Sequence, residues 1–140
     1  MLKRSPGLPA ILLVLIILGC GGSDKPTSSN GTVKEDPLFA ADIQPILNAS
    51  CARSGCHNST ASAGMNLSSG QAYANIVNVA SSEVPSRKRV LPNDAENSYL
   101  VMKLEGRQTS GGRMPLGGGS LGSTQIQLIK NWINQGAKNN

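Results

Sequence analysis

An all-α fold of three to five short helices joined by long loops is what this chain predicts, on three observations. Apolar residues recur at helical spacing in two well-separated stretches, Phe39, Ile43, Ile46 and Leu47 near the start and Ile126, Ile129, Trp132 and Ile133 near the end. Across the 140 residues 16 glycines and 8 prolines punctuate the chain, so no single element can run long. No βαβ pattern appears.

Taken in order, the chain opens with Lys3 and Arg4 ahead of the apolar run Ala10 to Leu18, the charged n-region and short h-region of an export signal. The run is too short to span a bilayer comfortably. Ile17-Leu-Gly-Cys20 closes it and resembles the lipobox of bacterial lipoproteins, which implies a signal peptide over 1–19 and lipidation at Cys20. From 20 to 35 the sequence is Gly, Ser, Thr, Asp and Lys without apolar period, a flexible tether. About 16 such residues reach on the order of 20–25 Å. The expected product is exported and lipid-anchored, periplasmic or on the outer face of a bacterial membrane, with its domain over 36–140.

Asp36 is the expected N-cap of the first helix, with Pro37 in its first turn. Pro45 removes a backbone donor inside it, so a break near Gln44 is expected. A short helix over Gln71–Val79 follows, then an irregular stretch from Val84 to Asp94 carrying Arg87, Lys88 and Arg89. Ser98 is the expected cap of a helix over Tyr99–Leu104 that Gly106 ends. From Gly111 to Gly122 six of twelve residues are glycine, a loop permissive enough to wrap a ligand. Ser123 is the expected cap of the last helix and Gly136 its stop, with the first helix as its partner.

The chemistry concentrates in Cys51-Ala-Arg-Ser-Gly-Cys56-His57, where two of the three cysteines and the only histidine lie within seven residues. Two cysteines with a histidine directly after the second form a haem attachment motif, the histidine being delivered to the iron as it is anchored. The usual spacing is Cys-x-x-Cys-His, and here four residues intervene. Ser54 and Gly55 are turn formers, which lets the longer loop fold back. A Cys51–Cys56 disulfide stapling a haem-free lipoprotein, which would serve as a binding or structural module, is the competing reading. A structural zinc needs four ligands, which one histidine and two thiols do not complete.

Charge adds a limit on partners. The formal +5 falls to +3 once Lys3 and Arg4 leave, with 11 basic and 8 acidic residues remaining. Two haem propionates would lower it to about +1. With one Phe, two Tyr and one Trp there is no basic patch with interleaved aromatics, so nucleic acid is not an expected partner. So few aromatics also make a thin core for a domain of about 100 residues, which a buried macrocycle would thicken.

From Asp36 to Lys138 the chain resembles the monohaem c-type cytochromes of bacterial exported proteins. The matching pieces come in the family's order: Ile46-Leu47, Cys51 to His57, Val90-Leu91-Pro92, Ser98-Tyr99-Leu100, Met114-Pro115, and Ile129 to Ile133 with Gly136-Ala137. Asn93 stands where a glycine often follows the proline, and it too accepts left-handed angles. The resemblance implies a cytochrome c-like fold around one covalent haem c. It implies attachment at Cys51 and Cys56, His57 as proximal ligand and Met114, the methionine of the Met-Pro pair, as the second axial ligand. Met65 and Met102 are fallback ligands, Met102 being the more suited to core. One of Arg87, Lys88 and Arg89 would pair with a propionate or dock a partner. The implied role is electron transfer with redox partner proteins rather than enzymatic turnover. An open-site haem sensor follows if Met114 does not bind. Hydrolase readings lack a Gly-x-Ser-x-Gly elbow or a second imidazole.

Overall fold

The computed structural model describes residues 33–117 and 119–140. The leader, Cys20 and the tether up to residue 32 lie outside them. Among the described residues the fold is all-helical: α1 (Gln44–Ser50), α2 (Ala72–Ile76), α3 (Tyr99–Glu105) and α4 (Ser123–Asn134). No described helix is long and apolar enough to cross a membrane.

The kink or break expected near Gln44 is replaced by a change of helix type. A five-residue π turn, Phe39–Ile43, runs directly into α1, with Ile43 and Gln44 both in right-handed helical conformation and Pro45 in the first turn of α1. Asp36, however, does not cap this segment. The Asp42 carboxylate does the anchoring, accepting from the Leu38 N–H at 2.6 Å and from Lys34 at 2.7 Å. Lys34 and Glu35, assigned to the tether from sequence, are bonded through their carbonyls to Asn131 of α4 and to Gln135, the residue just past its end.

α2 ends at Ile76, three residues short of the expected Val79. Val77 turns extended because the chain pairs there instead: Asn78 N–H donates to Val90 O and Val90 N–H to Ile76 O, both at 3.0 Å. Two isolated bridges, Val77 with Val90 and Ala80 with Lys88, tie this stretch to the irregular segment after it. Asn93 has φ +66° and its N–H reaches Ile133 O at 2.8 Å, docking the loop onto α4.

Ser98 holds the N-cap position of α3, but its hydroxyl caps nothing. It donates to Asp94 O at 2.8 Å and accepts from Leu91 N–H at 2.9 Å, fastening the preceding loop. Gly106 ends the helix at φ +80°. Ser123 is likewise the first helical residue of α4 rather than its cap; Gly122 precedes it, its N–H held by the Gln125 side chain. Past the end of α4, Gly136 takes φ +96° and Ala137 N–H returns to Trp132 O.

The core joins the π turn and α1 to α3 and α4. Ile43, Leu47, Ile76, Leu104, Ile129 and Ile133 are almost wholly buried in it. Phe39, Tyr73 and Trp132 form an aromatic cluster with centroids 5.2 to 6.5 Å apart. Offset and edge-on contacts at such distances favour aromatic pairs beyond the area they bury.

Candidate functional site

A cleft opens beside α3. Its walls bring together Cys51, His57, Met65 and Met114, with Ile76, Leu100 and Leu104 as aliphatic lining. Ser81, Ser82, Glu83, Arg89 and Lys103 make a polar flank. Of the residues singled out in sequence, Cys51, His57 and Met114 thus share one cavity although 57 positions separate the last two. Cys56 is exposed and does not line it, and Met102 is buried in α3 away from it.

Cys51 follows α1 directly, its N–H still bonded to Leu47 O, so its side chain joins the core. Burial, with Cys56 nearby, pushes its thiol up from 9.0 to about 11. It is a neutral, apolar sulfhydryl at physiological pH. Both cysteines are free thiols. The intervening loop folds back on itself: Cys56 N–H donates to Arg53 O at 2.9 Å, and His57 N–H to Cys51 O at 3.1 Å. Gly55 sits at φ +77°, the turn expected of it. The four-residue spacer therefore returns His57 to the side of Cys51.

The imidazole is half-buried, and its Nδ1 lies 2.9 Å from Ser62 O. A carbonyl only accepts, so Nδ1 carries a proton, and in the neutral ring this contact favours the tautomer with the lone pair on Nε2. That is the arrangement of a metal-binding histidine whose other nitrogen is tied to a backbone carbonyl. The carbonyl belongs to a tight turn, Ser62–Gly64, flanked and interrupted by Ala61 and Ala63 at φ +53° and +55°. Arg89 holds this turn, donating to Ala63 O at 3.1 Å, to Gly64 O at 3.4 Å and to Asn75 O at 2.8 Å. Its partial burial lowers its pKa below the usual arginine value.

On the opposite flank Met114 rides a loop docked on the last turn of α3. Its N–H donates to Lys103 O at 3.0 Å, and the Arg113 Nε to Leu104 O at 3.0 Å. Lys103 itself is buried, paired with Glu83 and bonded to the Ser110 and Gly112 carbonyls. Tyr99 OH joins them, 3.1 Å from Glu83 Oε2 and 2.9 Å from Ser110 O. Burial first, then the bond to Glu83, raises the Tyr99 phenol. Glu83, Tyr99 and Lys103 were not marked from sequence as site residues. The signal was present in Lys103, a cation set in the otherwise apolar run Tyr99 to Leu104.

Among the described residues no three His, Cys, Asp or Glu side chains converge as a closed zinc site would require. What gathers instead is one imidazole, two thioethers and a buried thiol beside aliphatic side chains. The described residues thus define a small helical domain with a thioether-and-imidazole-lined cleft. No protein-family model, curated protein or solved structure matches the chain.

Proposed function

We propose that this chain is a lipid-anchored electron-transfer protein with a cytochrome c-like domain and one covalent haem c. The supporting observation is the convergence of Cys51, His57 and Met114 on one cleft. His57 would offer Nε2 to the iron, with Ser62 O fixing the tautomer. Met114 would offer its thioether; Met65, also in the wall, is the fallback. Cys51, from the buried side, and Cys56, accessible on its loop, would add to the two vinyl groups at one porphyrin edge.

Bound haem c supplies one reversible electron, with its potential raised by thioether ligation. The chain's part is to bind, orient and exclude water. Leu100, Leu104 and Ile76 keep the hollow apolar, which disfavours extra charge and so favours the reduced form. Arg89 and its neighbours Arg87 and Lys88 supply positive charge on the polar side, suited to a propionate or an acidic partner. In this reading residues 1–19 direct export, Cys20 carries lipid, and redox proteins at the membrane surface are the partners.

The test is expression in a bacterium that matures c-type haem, read by haem staining on a denaturing gel and by intact mass. Covalent haem on the wild type and none on the Cys51→Ala, Cys56→Ala variant is the expected outcome. A haem-free wild type two protons lighter than the reduced chain would establish the Cys51–Cys56 disulfide and overturn the proposal.

A further inference from the structure

We infer that Glu83, Tyr99 and Lys103 form a latch that positions the Met114 loop, and that Lys103 is its central positioning residue. The inference rests on the proposed haem ligation. A glycine-rich loop has few side chains with which to fix itself, so whatever sets the place of Met114 must come from elsewhere.

Lys103 is 7% exposed, yet its ammonium is fully satisfied. Its three N–H donors meet three acceptors: the Glu83 carboxylate, Ser110 O at 3.0 Å and Gly112 O at 3.3 Å. Its own carbonyl accepts the Met114 N–H at 3.0 Å. One helical residue therefore grips the loop at positions 110, 112 and 114. Tyr99, one turn earlier on α3, places its hydroxyl within donating reach of both Ser110 O and Glu83 Oε2, its single proton serving one of the two at a time.

The loop in turn is shaped to enter the latch. Gly111 has φ +67°, and a Cβ there would stand 2.6 Å from Lys103 Nζ and closer still to Glu83 Oε1. Its lack of a side chain is what admits the two flanking carbonyls to the ammonium. Burying an ion pair gives little net stability, whereas removing one partner is costly, so such a pair serves better to select one geometry than to strengthen the fold.

The test uses the haem-loaded protein and follows ligation rather than activity. Lys103→Met and Gly111→Ala are compared with wild type and with Met114→Ala as the reference for a lost ligand. The readouts are the thioether-to-iron charge-transfer absorption of the ferric protein and its affinity for added imidazole. Both variants should keep covalent haem, lose the charge-transfer band and bind imidazole at least about tenfold more tightly, as expected when the competing methionine is no longer held in place. Should Lys103→Met fail to fold, Gly111→Ala decides, since it leaves α3 and its cation intact. Haem-loaded variants with the wild-type band and imidazole affinity within threefold of wild type would overturn the latch alone. A Met114→Ala protein spectrally identical to wild type would overturn it by removing its object. A wild type that takes up no haem would overturn the proposed function and the latch together.

Discussion

Two regions of this small domain are built on opposite terms. Around Trp132 every requirement is met from within: Phe39 and Tyr73 pack on the indole, its Nε1 donates to Lys138 O at 2.9 Å, and Tyr73 OH donates to Ala137 O at 2.9 Å. Beside α3, by contrast, an open cleft is lined by aliphatic, sulfur and polar groups, with Tyr99 the one Phe, Tyr or Trp among them. Close packing is the rule for protein interiors. Three of the four aromatics are gathered where the chain completes its own core, and the region left open is the one that assembles an imidazole, two thioethers and a thiol. The difference separates residues that close the core from residues that line an open cleft.

The largest effect should come from breaking the closed region. Trp132→Ala removes a side chain 1% exposed and touching both partner rings. A loss of about 3–5 kcal/mol is expected, read from urea denaturation of the haem-free chain. Met65→Ala, in the partly exposed cleft wall, should cost only about 1 kcal/mol in the same measurement. Equal losses at the two positions would show that the cleft is as much a part of the core as the aromatic cluster, and the contrast would fail.

Cys51 sits where the regions meet, in the core cluster and in the cleft wall at once. Its folded pKa, about 11, is raised above 9.0 chiefly by burial. The folded state thus holds its proton more tightly than the unfolded one. The corresponding stability is complete below pH 9 and is lost as pH rises through 11, about 2–3 kcal/mol in all. Urea midpoints of the haem-free chain at pH 8 and pH 11, compared with those of Cys51→Ala, isolate this share from that of Tyr99, which titrates in the same direction. Near pH 8 the shift also slows alkylation of Cys51 about 100-fold relative to an unshifted thiol, while exposed Cys56 should label freely. Equal labelling of the two would mean that Cys51 is open to solvent.

The sequence made the helices legible where apolar spacing was unbroken, and Pro45 marked the place where the first helix changes from π to α type, though not that the helix would run on through it. The boundaries that differed share a cause. Ser98, Ser123 and Asp36 are good caps in isolation, but tertiary bonds redirect Ser98 to the 91–94 loop, and Gly122 and Asp42 do the work at the other two starts. In the candidate site, His57 was marked by its adjacency to Cys56, which itself stays outside the cleft, Cys51 by the same short motif, and Met114 by the resemblance. Glu83 and Tyr99 were not marked, and Lys103 stood out only as a cation in an apolar run, because their contacts depend on backbone carbonyls at 110 and 112 that no side-chain pattern encodes.

The smallest effect sharpens the comparison most finely, because one backbone conformation recurs in both regions. Ala63 in the cleft wall has φ +55° and Ala137 beside the aromatic cluster φ +50°. A left-handed alanine costs roughly 1–2 kcal/mol, which glycine relieves at an entropic cost of about 0.5–1 kcal/mol. Ala63 is exposed, so Ala63→Gly gives up no packing and should stabilise the haem-free chain by about 0.5–1 kcal/mol. Ala137 is fully buried, and Ala137→Gly also removes a packed methyl worth about 0.8 kcal/mol, which brings the net change to zero or below. Urea midpoints of the two variants should therefore move apart, up for Ala63→Gly and level or down for Ala137→Gly. Ala63 sits next to the carbonyl that orients His57, so its strain is held in the turn that serves the site, whereas that of Ala137 is offset by the core it completes. A rise of equal size for both would mean that burial at Ala137 contributes nothing, and the closed region would lose its claim to tighter packing.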